Sequence, residues 1–270
     1  MKILLINDDG IHAPGLREAV RVLRRLGELF VVAPDREQSG VGASLTLHAP
    51  VRVREVPVDS LLSEDEPSAF KATAYAVEGT PADCCVLGLE KLVGQVDLVV
   101  SGINSGSNLG WDVMVSGTVG GAIQGFIRGY STIAISVGSV QNPLFEPAGR
   151  VLELVCQRLA ESPPESGMFL NINVPSLPLE QMSGVQITRL GGRSYGESVR
   201  EEGVGGRKRY WIARDRSIMS DAQSGTDIWA SKNRQISITP LHIGLGHDEQ
   251  MPVVESLLAD LPGQLLSQKD

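Results

Sequence analysis

Two acidic residues, Asp8 and Asp9, stand side by side where the first apolar run of the chain ends, and Gly10 follows them. Adjacent residues of a strand point to opposite faces, so both carboxylates can face one ligand only where the chain has left strand geometry, which a glycine permits. Two carboxylates that converge without a counter-ion would force one to stay protonated. The pair therefore indicates a bound cation, with turn formation or helix capping as the alternative interpretation.

Ser39 and Asn104 follow two other predicted strands, as Asp8 and Asp9 follow the first. In an open parallel sheet ligands bind beyond the carboxyl ends of the strands, so we expect all four residues to meet at one edge. Carboxylate, hydroxyl and amide oxygens are hard donors that suit Mg²⁺ or Mn²⁺ and do not suit a structural zinc site. So few protein ligands leave room for water and substrate, and such a metal can polarise a phosphoryl oxygen and lower the pKa of a bound water.

Two glycine-rich segments, SGINSGSNLG and SGTVGG, form the second chemical feature. Ser116, Gly117 and Thr118 precede a predicted helix, whose N-terminus attracts phosphate. Asn104 and Asn108 lie four residues apart, so one can ligate a metal while the other holds a phosphate oxygen. The alternative is a pair of ordinary turns, and neither segment has the spacing of a P-loop or of a dinucleotide-binding fingerprint.

Four other side chains have simpler explanations than catalysis. His12 follows the acidic pair and is within reach of a phosphate, but a lone histidine at a helix start is more often a capping or surface residue. Arg36 follows a strand, where a local ion pair is the simpler role. Trp111 and Trp229 can stack on a base, although burial in a core or an interface is the commoner role of tryptophan.

The elements that must position these residues alternate between strand and helix. Apolar runs typical of strands covered on both faces occupy residues 3–6, 29–33, 74–77, 97–100, 132–137 and 169–174. Between them, helical patterns begin at Pro14, after Thr80 as N-cap, near Thr118 and near Ala148. This alternation predicts an α/β fold: a Rossmann-like, open and mostly parallel sheet with helices on both faces.

Later segments depart from that pattern. Residues 44–58 alternate in part and predict strands, whereas residues 188–235 are rich in Gly, Arg and Glu and predict a protruding hairpin arm. Residues 236–239 return to strand character, and residues 251–265 predict a helix. We therefore predict an α/β catalytic core over 1–187, an extended oligomerisation arm over 188–235 and a C-terminal strand and helix over 236–270.

Composition excludes several classes of function. The formal net charge of −8 argues against binding of a nucleic-acid polymer, which requires clustered Lys and Arg. Three cysteines without framework spacing, of which Cys84 and Cys85 are adjacent, predict buried thiols in a reducing compartment. We find no signal-peptide pattern and no apolar run of the ~20 residues that a membrane span requires. A cytoplasmic protein without a membrane partner is the expectation.

Several motifs in register resemble one family. The segments ILLINDDGI, APDREQSGVGASLTL, GTPADC, SGINSGSNLGWDVMVSGTVGG and TPL resemble the survival protein SurE family, whose members are metal-dependent nucleoside monophosphate phosphatases. The resemblance spans most of the chain, and it implies a Rossmann-like core with a hairpin arm and a C-terminal segment used in homodimer or homotetramer contacts. The chain departs from the family pattern at Trp111 and Val115, so the resemblance does not extend to the preferred base.

The resemblance also implies roles for individual residues. It assigns metal ligation to Asp8, Asp9, Ser39 and Asn104, around one divalent cation, Mg²⁺ or Mn²⁺. It assigns phosphate or catalytic contacts to Asn108, Ser116 and Thr118. Gly117 lies between the last two and belongs to the same segment.

The leading hypothesis is hydrolysis of a nucleoside 5′- or 3′-monophosphate by water, with Asp8, Asp9 and Asn108 as catalytic residues and Asn108, Ser116, Gly117 and Thr118 as the substrate site. One alternative makes Asp8 a covalent nucleophile, as in haloacid dehalogenase phosphatases, although their signature separates the two aspartates by one residue. A second alternative is a nucleotide-binding regulator without turnover.

Overall fold

The computed structural model describes residues 1–62, 71–193, 195–204, 207–217 and 222–266. The strands are β1 (Lys2–Ile6), β2 (Glu28–Pro34), β3 (Val53–Val56), β4 (Ala72–Val77), β5 (Leu98–Ser105), β6 (Ser131–Val137), β7 (Phe169–Val174), β8 (Val185–Ile187), β9 (Tyr195–Val204), β10 (Arg207–Ser217) and β11 (Ile236–Pro240). The helices are α1 (Pro14–Leu23), α2 (Pro81–Leu87), α3 (Gly117–Ile127), α4 (Phe145–Glu161), α5 (Asp227–Lys232), α6 (Met251–Leu257) and α7 (Leu261–Leu266).

Nine strands form one sheet in the order β3-β4-β2-β1-β5-β6-β7-β11-β8. The run from β4 to β7 is parallel throughout, and only β3 and β11 pair antiparallel with a neighbour, β4 and β7 respectively. The prediction of an open, mostly parallel α/β sheet is confirmed.

Both faces of the sheet are covered because the central strands are apolar on both sides. Ile3 and Leu5 of β1 pack in a core with α1 and α4, whereas Leu4 and Ile6 pack on the opposite face with Cys84 and Cys85 of α2. Helix α3 packs with β6 and β7 in a third apolar cluster. All three cysteines are free and buried, as predicted.

The predicted strands over 44–58 form only in part. Val53–Val56 is a strand, but Leu45 and Leu47 lie exposed in an irregular segment. The reason is that Thr46 gives its backbone N–H to the side chain of Asp83, at 2.9 Å, and not to a neighbouring strand. The alternation in this part of the sequence therefore reflects a loop fixed by one side chain.

The hairpin arm is confirmed: β9 and β10 pair antiparallel as a separate two-stranded sheet. Residues 194, 205–206 and 218–221 of the predicted arm lie outside the described residues. The strand after the arm, β11, is inserted between β7 and β8 of the main sheet. The division of the chain at residues 187 and 235 stays a prediction.

The predicted C-terminal helix consists of two short helices, α6 and α7, separated by a turn over residues 258–260. Pro262 explains the break, because a proline has no backbone N–H to continue a helical ladder. Residues 267–270 lie outside the described residues. Within the described part of the chain, no helix has both the length and the apolar character that a membrane crossing demands.

Candidate active site

A cavity of about 650 Å³ opens at the carboxyl ends of β1, β2 and β5. Its lining includes Asp8, Asp9, Ser39, Asn104, Asn108 and Ser116, so six of the eight predicted site residues meet there. These strands are parallel neighbours, which is why loops far apart in sequence converge at one edge. Gly117 and Thr118 lie directly behind this lining, at the start of α3.

Asp8 is a buried carboxylate at the base of the cavity, with only 3% of its surface exposed. Its Oδ1 accepts a hydrogen bond from the Thr118 hydroxyl at 2.6 Å. A Cβ on Gly117 would stand 2.8 Å from the Asp8 Cβ, so only glycine lets the helix start approach this carboxylate so closely. Burial raises the pKa of Asp8 to about 7; the Thr118 hydrogen bond opposes this shift, and the neighbouring charge of Asp9 adds to it.

Asp9 is the more accessible of the two acids. Its Oδ2 accepts the backbone N–H of Ser105 at 2.9 Å, which fixes it to the end of β5. Burial raises the pKa of Asp9; the Ser105 hydrogen bond opposes that rise, and the charge of Glu37 adds to it. Since no Lys or Arg stands among the described residues of the cavity lining, a bound cation is the group that would keep both acids ionised.

The loop after β2 brings Ser39 to the cavity. The backbone N–H of Gln38 donates to the Asp8 carbonyl oxygen at 2.7 Å, which holds this loop against the acidic turn. The Ser39 hydroxyl donates to Glu37 Oε1 at 2.9 Å. Glu37 also lines the cavity. Our sequence reasoning missed this residue, although its position two residues before Ser39 in the same loop was a usable signal.

Asn104 reaches the cavity through an irregularity of its own strand. The pairing of β5 with β6 shifts register between Ser101 and Asn104, and a bulge of this kind re-aims the side chains that follow it. The Asn104 Nδ2 donates to the Gly106 carbonyl oxygen at 2.6 Å. That bond leaves the amide oxygen of Asn104 as the atom suited to a cation.

Asn108 is held by a buried polar network. Its backbone N–H donates to Asn173 Oδ1 at 2.8 Å, and its carbonyl oxygen accepts from the side chains of both Asn171 and Asn173. Its own Nδ2 donates to the Ser136 hydroxyl at 2.8 Å. The three supporting residues are buried in β6 and β7, and sequence reasoning did not single them out. Such a network fixes one position for Asn108.

Ser116 begins helix α3. Its Oγ accepts the backbone N–H of Val119 at 3.1 Å, which makes it the N-cap. The positive end of an eleven-residue helix therefore opens next to a cavity that Ser116 lines. Thr118 is fully buried and directs its hydroxyl to Asp8, so it fixes the acid from behind.

The remaining predicted side chains lie outside this lining. His12 and Arg36 are exposed and do not belong to it. Trp111 is exposed on the same loop as Asn108, whereas Trp229 is half-buried in α5. Val115 and Val140, both exposed, give the mouth of the cavity an apolar rim.

The donor set fits a hard divalent cation. It comprises two carboxylates, a hydroxyl and an amide oxygen, which is the ligand class of Mg²⁺ and Mn²⁺. Among the described residues no cluster of three or more His, Cys, Asp and Glu is arranged to hold a metal.

Fold and cavity together define an α/β protein with a candidate cation and phosphate site at the carboxyl edge of its sheet. The sequence profile of the family described as "Survival protein SurE" matches residues 3–197. The chain belongs to the SurE family, and this prediction is confirmed.

Individual relatives cover nearly the whole chain. It is 46% identical over 245 residues to the 5′-nucleotidase SurE of Dehalococcoides mccartyi strain CBDB1, covering 90% of this chain and 89% of that protein. It is 40% identical over 262 residues to the 5′-nucleotidase SurE of Legionella pneumophila strain Philadelphia 1, covering 97% and 98%. The crystal structure of the SurE protein from Aquifex aeolicus superposes with a TM-score of 0.79 at 38% identity, covering 95% of this chain and 99% of that one.

Proposed function

We propose that this protein is a metal-dependent phosphatase that hydrolyses nucleoside 5′- and/or 3′-monophosphates to nucleoside and inorganic phosphate. The observation that carries the proposal is the adjacent acids, buried Asp8 and half-buried Asp9, which share one cavity with Asn108 and the start of α3 and have no cationic side chain in the described lining. The names of the relatives, 5′-nucleotidase SurE at 40% and 46% identity, support it.

Asp8, Asp9, Ser39 and Asn104 would hold one divalent cation, Mg²⁺ or Mn²⁺. When bound, the cation supplies positive charge that draws the substrate phosphate into the cavity and lowers the barrier to attack by water. Thr118 and Gly117 support the proposed cation site. Thr118 holds one oxygen of Asp8 by a hydrogen bond, and Gly117 lets the start of α3 approach the Asp8 side chain.

Asn108 and Ser116 would bind the phosphoryl oxygens, with Gly117 and Thr118 contributing the first peptide groups of α3. Donors that are already oriented stabilise the charge of the transition state without having to reorganise. The bonds of Asn108 to Asn173 and Ser136 provide that orientation.

In the proposed reaction a water oxygen attacks phosphorus and the ester bond between phosphorus and the nucleoside oxygen breaks. Asp9, the more accessible acid, orients the water and takes its proton. The nucleoside oxygen leaves with a proton from solvent, and phosphate remains. Beyond the phosphate, the nucleoside would lie against the apolar rim of Val115 and Val140.

Neither alternative has a specific observation in its favour. A covalent nucleophile must present a free carboxylate oxygen to phosphorus, but Asp8 is 3% exposed and one of its oxygens is occupied by the Thr118 hydroxyl. A regulator without turnover would need the same cavity to bind nucleotide and release no product. A covalent aspartyl phosphate trapped during turnover would support the first alternative.

We also propose that the protein works in the cytoplasm as a homodimer or homotetramer. Large apolar side chains are exposed on the arm and in the C-terminal segment, and a second copy of the chain would cover them. They are Val199, Tyr210, Trp211 and Ile212 on the arm, and Leu245, Val253, Leu257 and Leu265 near the end of the chain.

The decisive experiment is a phosphate-release assay on a panel of nucleoside 5′- and 3′-monophosphates with Mg²⁺, with Mn²⁺ and with a chelator. We expect release that requires the metal and stops with the chelator. Binding of nucleotide, measured by calorimetry, without any release would favour the regulator. Absence of both would end the proposal.

A further inference from the structure

Asp227 is a fully buried carboxylate outside the cavity, and it accepts three backbone hydrogen bonds. Its Oδ2 accepts from the N–H of Gly110 at 2.7 Å. Its Oδ1 accepts from the N–H of Gly191 at 2.7 Å and of Ile228 at 2.8 Å. One side chain therefore joins three segments of the chain.

Two of these segments belong to different parts of the molecule, the candidate site and the arm. Gly110 belongs to the 108–116 loop, which carries Asn108 and Ser116 into the cavity. Gly191 belongs to residues 189–192, which lead into the arm that begins with β9; we call these residues the foot of the arm. Asp227 thus connects the phosphate-binding side of the candidate site to the foot of the arm.

Direct backbone contact strengthens this connection. The N–H of Trp111 donates to the Gly192 carbonyl oxygen at 3.0 Å. Gly110 has φ of +52°, and a Cβ there would stand 2.0 Å from the same oxygen. The 108–116 loop and the foot are therefore too close for any side chain at residue 110.

Asp227 is itself fixed by the start of α5. Its N–H donates to the Arg189 carbonyl oxygen at 3.0 Å, and the N–H of Arg189 donates to Gly225 at 3.1 Å. Thr226 caps the helix by accepting the N–H of Trp229 at 3.2 Å. The carboxylate consequently acts from a rigid position between the loop and the foot.

We propose that Asp227 is a positioning residue: it holds the 108–116 loop in its phosphate-binding arrangement by fixing that loop to the foot of the arm. This inference rests on the proposed function for its catalytic consequence. The partners of Asp227 are backbone N–H groups, which an ionised carboxylate satisfies with both oxygens and an amide cannot. In Asp227→Asn, an NH₂ group would face at least one of these donors.

The chain contains a matched control, Asp83, which fixes a different loop. Asp83 is also buried, and it accepts from the Thr46 N–H at 2.9 Å, from the Thr46 hydroxyl at 2.6 Å and from the Thr80 N–H at 2.9 Å. It therefore holds the loop that follows Ser39, whereas Asp227 holds the loop of Asn108. The two carboxylates are alike in chemistry and differ in the loop that they fix.

The experiment compares the full-length chain with its Asp227→Asn and Asp83→Asn variants. It measures kcat on adenosine 5′-monophosphate, inhibition by inorganic phosphate, and the Mn²⁺ concentration of half-maximal activity. For Asp227→Asn we expect kcat and phosphate affinity to fall by roughly 10- to 100-fold, because small displacements of positioned groups cost this much, with the Mn²⁺ midpoint within about twofold. For Asp83→Asn we expect the Mn²⁺ midpoint to rise.

Identical profiles for the two variants would overturn the proposal, because a general loss of stability would affect both loops alike. An unchanged kcat in a folded Asp227→Asn protein would also overturn it. If this variant does not fold, Gly110→Ala makes the same test, because it separates the loop from the foot and keeps the carboxylate. It should reproduce the losses in kcat and phosphate affinity, and normal values would refute the coupling.

Hydrogen exchange gives a readout that needs no activity. Asp227→Asn should accelerate exchange in peptides covering 108–116 and 189–193, and Asp83→Asn in those covering 42–47. If the wild-type chain releases no phosphate, the proposed function fails while exchange still decides whether Asp227 joins the two segments. Exchange in 108–116 that stays at the wild-type rate would refute the structural coupling itself.

Discussion

The main sheet and the two appendages use apolar residues in opposite ways. In β1, residues Ile3, Leu4, Leu5 and Ile6 are all fully buried, because helices cover both faces of the strand. In the arm and the C-terminal helices, Ile212 is 81% exposed and Leu257 is 76% exposed. Apolar side chains therefore complete a core in the main sheet, whereas those of the appendages stay uncovered by the other described parts of the chain. This difference is what the proposed contact between copies of the chain predicts, because large exposed apolar patches mark interaction surfaces.

The largest expected effect is a loss of activity, which should follow a change in the main sheet and not a change in an appendage. Asp8→Asn should lower the rate of metal-dependent phosphate release by about 10³-fold, since it removes a charged ligand of the proposed cation. The fold should survive, because an amide oxygen can still accept the Thr118 hydroxyl. Rates are measured at saturating Mn²⁺ with circular dichroism as the check on folding. Glu255→Gln, an equal change on exposed α6, is the control and should keep the wild-type rate.

The second expected effect is on the free energy of unfolding, which should fall much more for a change in the main sheet than for one in an appendage. Leu5→Ala empties a site with no exposure and should cost about 2–5 kcal/mol of unfolding free energy. Leu257→Ala should cost less than about 0.5 kcal/mol within a single chain. Urea unfolding at several protein concentrations measures both. A loss for Leu257→Ala that does not depend on protein concentration would contradict the comparison, since it would place Leu257 in the chain's own core.

Assembly should respond to the appendages alone. Ile212→Glu and Leu257→Glu should reduce the mass of the assembly, because each would place a charge in the proposed contact between copies. Multi-angle light scattering measures this mass, and far-UV circular dichroism should stay unchanged. Arg150→Glu, on the exposed side of α4, is the control for a surface charge change. A wild-type protein that is monomeric at all concentrations would remove the basis for this prediction.

The last expected effect is a pH dependence of the metal-free protein. The folded-state pKa of Asp8 is raised to about 7 from an ordinary value of 3.8, so the folded chain binds the proton more tightly than the unfolded chain does. The unfolding free energy should therefore fall as pH rises from about 4 to 7. Comparison with Asp8→Asn, which lacks this group, isolates the contribution. A wild-type protein that gains stability relative to Asp8→Asn over this range would contradict the assignment.

Local sequence patterns predicted the elements that carry the site. The apolar run before Asp8, the cap at Thr80 and the glycine-rich start of α3 all depend on neighbours in sequence, and the structure reproduces each of them. The rule that ligands bind at the carboxyl ends of parallel strands then correctly predicted that Ser39 and Asn104 lie in the same cavity.

The hydrogen bonds that hold the site loops in place could not be predicted from local sequence patterns. Asp83 reaches Thr46 across 37 positions, Asn173 reaches Asn108 across 65 and Asp227 reaches Gly110 across 117. Each of these side chains has a local explanation in the sequence as a cap or a strand residue. Only the packed sheet determines which distant backbone group it meets, so their positioning roles emerged from the structure alone.

The place of β11 has a consequence for how the chain is made. This strand closes the sheet between β7 and β8, yet it follows the entire arm in sequence. During synthesis from the N-terminus, the edge of β7 must wait unpaired until the ribosome has produced the arm and the residues after it. A nascent chain that stalls within the arm would expose this edge, and it would be a natural client for chaperones.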